Sequence, residues 1–211
     1  HIAACAGIAD RPFGDLSEDI KNLSSLAFPV LSGETEIKMR EKILAAKAQG
    51  NSVGGILETA VCGLPAGLGE PWFDSAESLL SHALFSIPAV KAVEFGEGTG
   101  FAGMCGSEAN DSFYYDENGE VRTRSNHNGG INGGITNGMP LVFRCTVKPT
   151  PTISLPQQTV NVKTRENAGI VAAGRHDPFI AHRARVVADS LTALVLCDML
   201  AIKYGTDWLA E

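Results

Sequence analysis

The 211-residue sequence lacks several patterns that identify common functional sites. Its five cysteines are widely spaced without a Cys-x-x-Cys pair, and no group of His, Cys and carboxylate residues has metal-ligand spacing. This argues against a zinc centre and a disulfide framework, and favours reduced thiols in a cytoplasmic protein. Gly-x-Ser-x-Gly and Walker sequences are also absent, so the common serine hydrolases and P-loop enzymes are not indicated. We therefore predict no metal site.

Positive charge is in deficit and long apolar runs are missing. The formal charge is −7, from 24 acidic and 17 basic residues, which argues against generic nucleic-acid binding. No apolar stretch reaches the eighteen or so residues that span a bilayer, and the mean hydropathy is +0.04. We expect neither nucleic-acid nor membrane partners, and an anionic ligand would have to be held by local cations.

The most informative segment is glycine-rich. Ser125–Gly138 contains five glycines and four asparagines in fourteen positions, with Ile131 and Ile135 between paired glycines. Glycine adopts positive φ without steric cost, and asparagine tolerates it better than most residues. Such a segment brings bare backbone against a flat or phosphorylated ligand. A flexible linker is the alternative, but the regular Gly-Gly-x-x-Gly-Gly frame favours a binding loop.

Local patterns predict a mixture of helices and strands. Helices are predicted at 34–50, 75–85 and 181–203 from apolar spacing, and strands at 2–8, 52–62, 89–95 and 141–147. Asp116-Glu117-Asn118-Gly119 between strand-like residues predicts a hairpin. Because the strands lie in hairpins rather than regular βα units, we predict an α+β fold with antiparallel sheets.

Three further motifs have alternative interpretations. Gly98–Gly103 matches the dinucleotide-binding glycine pattern, but the sequence after it does not begin a helix, so a Rossmann site is not predicted. Lys148–Thr152 is either a rigid binding segment or the exit of an edge strand with a solvated lysine. Gly174–Pro178 offers an arginine for anions and a carboxylate that could act as a base. A structural Arg–Asp pair before a helix is the alternative.

Together these segments resemble chorismate synthases. Leu64–Pro71, Ser125–Gly138, Lys148–Thr152 and Gly174–Pro178 have the order and spacing of that family, and the resemblance extends from Ile2 to Leu200. It implies a β-α-β sandwich with antiparallel sheets and flanking helices, forming a single domain over residues 1–211. The chain does not begin with methionine and is expected to be the C-terminal portion of such an enzyme, without the N-terminal catalytic histidines.

The resemblance also implies a reaction and a cofactor. The family is a group of lyases that convert 5-enolpyruvylshikimate 3-phosphate into chorismate and phosphate by a 1,4-anti elimination, in aromatic amino acid biosynthesis. Reduced FMN is required and is regenerated by NADPH or by a separate flavin reductase. A cytoplasmic homotetramer is expected. The fragment alone is expected to lack turnover.

The resemblance assigns site residues one by one. Asp177 matches a catalytic carboxylate near the flavin. The FMN contacts are Gly133, Lys148, Pro149, Thr150, Pro151, Thr152, Arg175, Pro88 and Ala89. Position 88 is commonly Asn in the family, so the proline here removes that side-chain contact. Two other interpretations stay open: a non-catalytic flavin or nucleotide module, and a glycine loop at an oligomer interface.

Overall fold

The computed structural model describes residues 1–206 and divides into two compact units. The first unit contains His1–Leu57 and Val147–Arg183, and the second contains Glu58–Thr146 and the chain from Ala184 onward. The assignment of residues 1–211 to a single domain stays a prediction. No helix in the described part of the chain is both long and apolar enough to cross a membrane.

The predicted class, α+β with antiparallel sheets, is confirmed. The α-helices are α1 (Leu16–Ser24), α2 (Gly33–Ala48), α3 (Ala76–Phe85), α4 (Gly106–Ala109) and α5 (Ala181–Tyr204). The strands are β1 (Ile2–Cys5), β2 (Ile8–Ala9), β3 (Gly55–Val61), β4 (Val90–Phe95), β5 (Phe113–Tyr115), β6 (Val121–Thr123), β7 (Ile131–Asn132), β8 (Ile135–Thr136), β9 (Leu141–Val147), β10 (Gln157–Asn161) and β11 (Glu166–Ile170). Two 3₁₀ helices, Trp72–Asp74 and Gly98–Gly103, complete the list.

The first unit contains the strand order β2-β1-β3 and the hairpin β10-β11. Strand β1 pairs antiparallel with β2 through Ala4 and Ala9, and Ile2 of the same strand lies opposite Leu57 of β3. Ile2 is fully buried and Leu57 nearly so. Burial of such side chains stabilises the fold by roughly 1.5–3 kcal/mol each, so the contact between β1 and β3 contributes to the stability of the first unit.

Helix α2 lies beside these strands and begins and ends on local signals. The Ser32 side chain accepts a hydrogen bond from the amide of Thr35 at 3.3 Å, which is a standard N-cap contact. Gly50 follows the last turn with φ of +68°, the conformation that commonly ends a helix. Lys47 therefore stands in the last turn of α2, next to the loop that leads into β3.

The second unit contains the part of β3 from Glu58 onward, followed in strand order by β9 and β4, and two short hairpins, β5-β6 and β7-β8. Along β9, Leu141, Phe143, Cys145 and Val147 are buried and alternate with more exposed residues, as in a strand covered on one face. Helix α3 buries Ala76, Leu80 and Leu84. The hairpin predicted around Asp116–Gly119 is present as β5-β6.

Candidate functional site

A cleft of about 650 Å³ opens in the first unit around the Gly-Arg-His-Asp-Pro segment. Its walls come from the last turn of α2, the loop before α5 and the first turn of α5. The lining residues are Lys47, Arg175, His176, Asp177, Pro178, His182 and Arg183. Arg175 and Asp177, two of the site residues predicted from the sequence, therefore share one cleft.

A buried aromatic ring fixes the loop that carries Asp177. Phe179 is 2% exposed, and an added Cβ at Gly55 would lie 2.8 Å from its ring. Glycine at position 55 is thus required for close packing of β3 against this loop. The carbonyl of Pro178 accepts a hydrogen bond from the Val53 amide at 2.9 Å. These contacts hold the backbone on which Asp177 and Arg175 stand.

The cleft is electrostatically positive. Its lining includes the cationic side chains of Lys47, Arg175 and Arg183, and the single carboxylate is Asp177. Arg183 Nε lies 3.3 Å from Asp177 Oδ2, which leaves the other two cations without a hydrogen-bond or ion-pair partner among residues 1–206. Asp177 also accepts a hydrogen bond from the Phe179 amide through Oδ1, at 3.3 Å. The carboxylate is therefore oriented from two directions.

Two histidines of the cleft have defined tautomers. His182 Nδ1 lies 2.7 Å from the carbonyl oxygen of Phe179, and His176 Nε2 lies 3.1 Å from that of Ala172. A carbonyl only accepts, so the proton stands on the nitrogen that faces it. The second nitrogen of each ring, Nε2 of His182 and Nδ1 of His176, is left for other partners.

The Lys148–Thr152 segment also belongs to the first unit. Its backbone is tied to the loop before β3, because Ser52 Oγ donates to the carbonyl of Thr150 at 2.7 Å. An added Cβ at Gly54 would lie 3.0 Å from Cδ of Pro149. The hydroxyl of Thr150 is buried and has no hydrogen-bond partner within residues 1–206. Buried polar atoms are rarely left unpaired, and such an atom calls for an explanation.

In the second unit, a buried carboxylate organises the start of the glycine-rich segment. Asp111 is 6% exposed and accepts four hydrogen bonds. Oδ1 accepts from Ser125 Oγ at 2.7 Å and from the His127 amide at 2.8 Å. Oδ2 accepts from the amide and side chain of Asn128 at 2.9 and 2.8 Å. Burial disfavours ionisation of Asp111, but these hydrogen bonds outweigh it and hold its pKa below the ordinary value.

The glycines of this segment differ in their surroundings. An added Cβ at Gly129 would lie 2.5 Å from the carbonyl oxygen of Val142, so that position is closed by packing. Gly133, in the two-residue turn between β7 and β8, has φ of +60° and no atom within 4 Å of an added Cβ. Space is therefore open beside its backbone, and the contact of this loop with a ligand stays a prediction.

Comparison with known proteins identifies the family. The family model described as chorismate synthase matches residues 3–201. The chain belongs to the chorismate synthase family. It is 47% identical to the chorismate synthase of Methanosarcina mazei over 198 residues, 94% of this chain and 54% of that protein. It is 50% identical to that of Methanobrevibacter smithii over 160 residues, 76% of this chain and 44% of that protein.

The fold comparison agrees. A crystal structure of a chorismate synthase superposes with a TM-score of 0.73 and 27% sequence identity, covering 97% of this chain and 56% of the other. The chain thus spans about half the length of the chorismate synthases it matches. The family assignment made from the four sequence motifs is confirmed.

The structure places the other expected chorismate synthase residues as follows. Gly133, Pro88 and Ala89 belong to the second unit. Pro88 and Ala89 form the tight turn between α3 and β4, in which the Val90 amide donates to the carbonyl of Ile87 at 3.2 Å. Ala89 has φ of +78°, so this is a type II turn with proline at its usual position. The assignment of these residues to FMN stays a prediction.

Several residues of these sites are missing from the sequence-based prediction. Lys47 and His182 line the cleft, and Asp111 orders the glycine-rich segment. For His182 a signal existed, since His182-Arg183 follows the Gly-Arg-His-Asp-Pro motif at the start of a predicted helix. The local sequence around Lys47 is typical of a solvent-exposed lysine at the end of an amphipathic helix, and it contains no signal of a binding role.

Proposed function

We propose that this chain is the FMN-holding and phosphate-holding part of a chorismate synthase, a lyase that eliminates phosphate from 5-enolpyruvylshikimate 3-phosphate. The observation that carries the proposal is the cluster of cations around Asp177, in a chain of this family. Uncompensated cations in a cleft raise the local concentration of a phosphorylated substrate and stabilise the phosphate that leaves. A net charge of −7 makes such a local cluster the main source of attraction for anions.

Each unit, taken by itself, offers groups that suit a flavin mononucleotide. In the second unit, the open side of Gly133 allows the close backbone approach that a planar ring needs. In the first unit, the hydroxyl of Thr150 is a buried hydrogen-bonding group without a partner among the described residues. Arg175 supplies a cation for the phosphate or for the anionic reduced ring. When bound, reduced flavin supplies electron density to the substrate as the phosphate leaves.

Asp177 is the proposed proton carrier. Its carboxylate is half-buried and is held by the Phe179 amide and by Arg183. A carboxylate fixed in this way keeps one orientation, as a general acid–base group requires. Lys148 to Thr152 form a rigid wall in the proposed site, because Pro149 and Pro151 fix the backbone. Homotetramer formation, cytoplasmic location and reduction by NADPH or a separate reductase remain predictions from the family.

Flavin titration tests the cofactor part of this proposal. FMN fluorescence quenching would be measured with the 211-residue chain and with Gly133→Ala. Gly119→Ala is the matched control, because Gly119 also has a positive φ, +78°, and open space around an added Cβ. Both alanines pay the same backbone cost of roughly 1–2 kcal/mol. We expect FMN binding to weaken about fivefold more in Gly133→Ala. Equal affinities for the two variants would refute a contact at Gly133.

Turnover tests the catalytic part. Chorismate formation from 5-enolpyruvylshikimate 3-phosphate with reduced FMN would be compared between the complete enzyme that contains this chain and its Asp177→Asn variant. Loss of a general acid–base group costs about a hundredfold or more. An Asp177→Asn protein that binds FMN and keeps normal turnover would contradict the assigned role. A complete protein that binds FMN but forms no chorismate under any reducing condition would favour the non-catalytic flavin module.

A further inference from the structure

We infer that Lys47 and His182, together with Arg175 and Arg183, form a subsite for the phosphate group of a phosphate monoester. This inference rests on the proposed function for the nature of its ligand, and extends it to residues of α2 and α5. The first argument is charge balance. Asp177 is the one carboxylate of the cleft and already faces Arg183. Lys47 and Arg175 are left facing a common space, where a dianion would relieve their mutual repulsion.

The second argument is the direction from which the donors come. Lys47 stands on the last turn of α2, Arg175 on the loop, and Arg183 on the first turn of α5. Donors on three separate elements can surround a tetrahedral oxyanion, whereas a planar carboxylate is usually held by one fork. Lysine binds phosphate as a compact point charge that needs no fixed plane. The arrangement therefore favours phosphate over carboxylate.

The third argument concerns His182. Its ring stacks on Phe179 with centroids 6.0 Å apart and planes 17° apart, and its Nδ1 proton is committed to the Phe179 carbonyl. The ring is thus held in one orientation with Nε2 available to the cleft that it lines. In the protonated ring, Nε2–H donates a charge-assisted hydrogen bond to a phosphate oxygen.

The fourth argument is the adjoining apolar space. A second cavity of about 400 Å³ shares Asp177, Pro178 and His182 with the cleft. Its other lining residues are Ala27, Phe28, Ile43, Leu44, Phe179 and Arg40, and Arg40 is paired with Glu36. Apolar walls next to a polar group are typical of sites that hold small organic ligands. A phosphate ester, with an organic part beside its charged head, uses both spaces. Free inorganic phosphate uses one of them.

Inorganic phosphate is the first probe. Its affinity for the 211-residue chain would be measured calorimetrically, together with Lys47→Gln and His182→Gln. The matched controls are Lys42→Gln, an exposed lysine of the same helix, and His82→Gln, an exposed histidine of α3. Since ion pairs at exposed positions contribute little binding free energy, we expect each cleft variant to bind phosphate only about threefold to fivefold more weakly. The controls should match the unsubstituted chain.

Two ligand pairs separate the sources of the phosphate group. FMN would be compared with riboflavin, and shikimate 3-phosphate with shikimate, in the unsubstituted chain and in Lys47→Gln. Loss of the FMN preference in the variant supports the subsite and assigns it to the flavin phosphate. Loss of the shikimate 3-phosphate preference supports it and assigns it to the substrate.

The inference is overturned if the unsubstituted chain shows no affinity for inorganic phosphate, or if Lys47→Gln and His182→Gln bind it like the controls. Such a result leaves the proposed function standing wherever the Gly133→Ala and Asp177→Asn effects are present. Conversely, phosphate binding that depends on Lys47 without any FMN binding would refute the flavin proposal and retain an anion subsite. Circular dichroism of each variant confirms that the fold is unchanged.

Discussion

Substitution of Asp111 by asparagine is expected to loosen the start of the glycine-rich segment. The Asp111 carboxylate accepts two hydrogen bonds at each oxygen, and these come from Ser125, His127 and Asn128. An asparagine keeps one acceptor oxygen and places an amide nitrogen, a donor, against the other pair of donors. Because Ser125 Oγ can turn to accept, the least costly orientation leaves the His127 amide without a partner.

The expected loss of stability follows from the number of hydrogen bonds that the asparagine cannot accept. One buried donor without an acceptor costs roughly 1–3 kcal/mol, and the remaining contacts lose the strength of a charged acceptor. We therefore expect Asp111→Asn to lower the free energy of unfolding of the second unit by about 2 kcal/mol. The first loss of structure should be confined to residues 127–128, because the two backbone amides that donate to Asp111 lie there.

Urea unfolding measures the total effect, and hydrogen exchange of the His127 and Asn128 amides measures the local one. Glu117→Gln is the matched control, because it makes the same carboxylate-to-amide change at an exposed position of the same unit. Since the pKa of Asp111 is lowered in the fold, its stabilisation is complete above about pH 4 and is lost as the pH falls below that value. Unchanged exchange at both amides in Asp111→Asn would refute the proposed anchoring.

Two further predictions concern ionisation elsewhere. The hydrogen bond from Arg11, together with that from the Gly14 amide, lowers the pKa of Asp19 to about 2. The first unit should therefore lose stability between about pH 4 and pH 2. In acid-unfolding curves, Asp19→Asn should make this loss of stability smaller. Burial raises the pKa of Cys5 to about 11 and that of Cys145 to about 12. A thiol-reactive chromophore should therefore label the exposed Cys62, Cys105 and Cys197 in the native protein, and the two buried thiols only after unfolding. Rapid labelling of all five would contradict this.

Elements with local signals were predictable from the sequence. Helix α2 has a serine N-cap and a glycine after its last turn, and β9 alternates buried and exposed residues with period two. The β5-β6 hairpin follows from Asn118-Gly119. In each case the information lies within a few residues, so tertiary contacts were not needed to recognise the element.

Elements that depend on distant contacts were missed. Helix α1 has nine residues, and its buried Asp19 is paired with Arg11 in the preceding loop. A buried carboxylate in a short polar segment looks like a turn until its partner is known. The β10-β11 hairpin is mostly exposed, with Arg165 at φ of +59° in its turn. Without an apolar face or a glycine turn, its strands have no local signature.

In the candidate cleft, too, some residues are predictable from the sequence and others are not. Arg175, His176 and Asp177 are adjacent in sequence, so their density of ionisable groups was visible without the structure. Lys47, by contrast, is distant in sequence, and the hydrogen bond from the Val53 amide to the Pro178 carbonyl ties the chain after α2 to this loop. The excess of positive charge is a property of the assembled cleft, and neither segment alone predicts it.

The glycine-rich segment carries two physical roles that composition does not separate. Gly129 is enclosed by backbone atoms at 2.5 Å from an added Cβ, whereas Gly133 faces open space. A side chain at the first position would break packing, but at the second it would meet only what approaches from outside. Both have positive φ, so backbone conformation does not distinguish them either. Gly133 is therefore the position at which a substitution reports on ligand approach, and Gly129 the position at which it reports on folding.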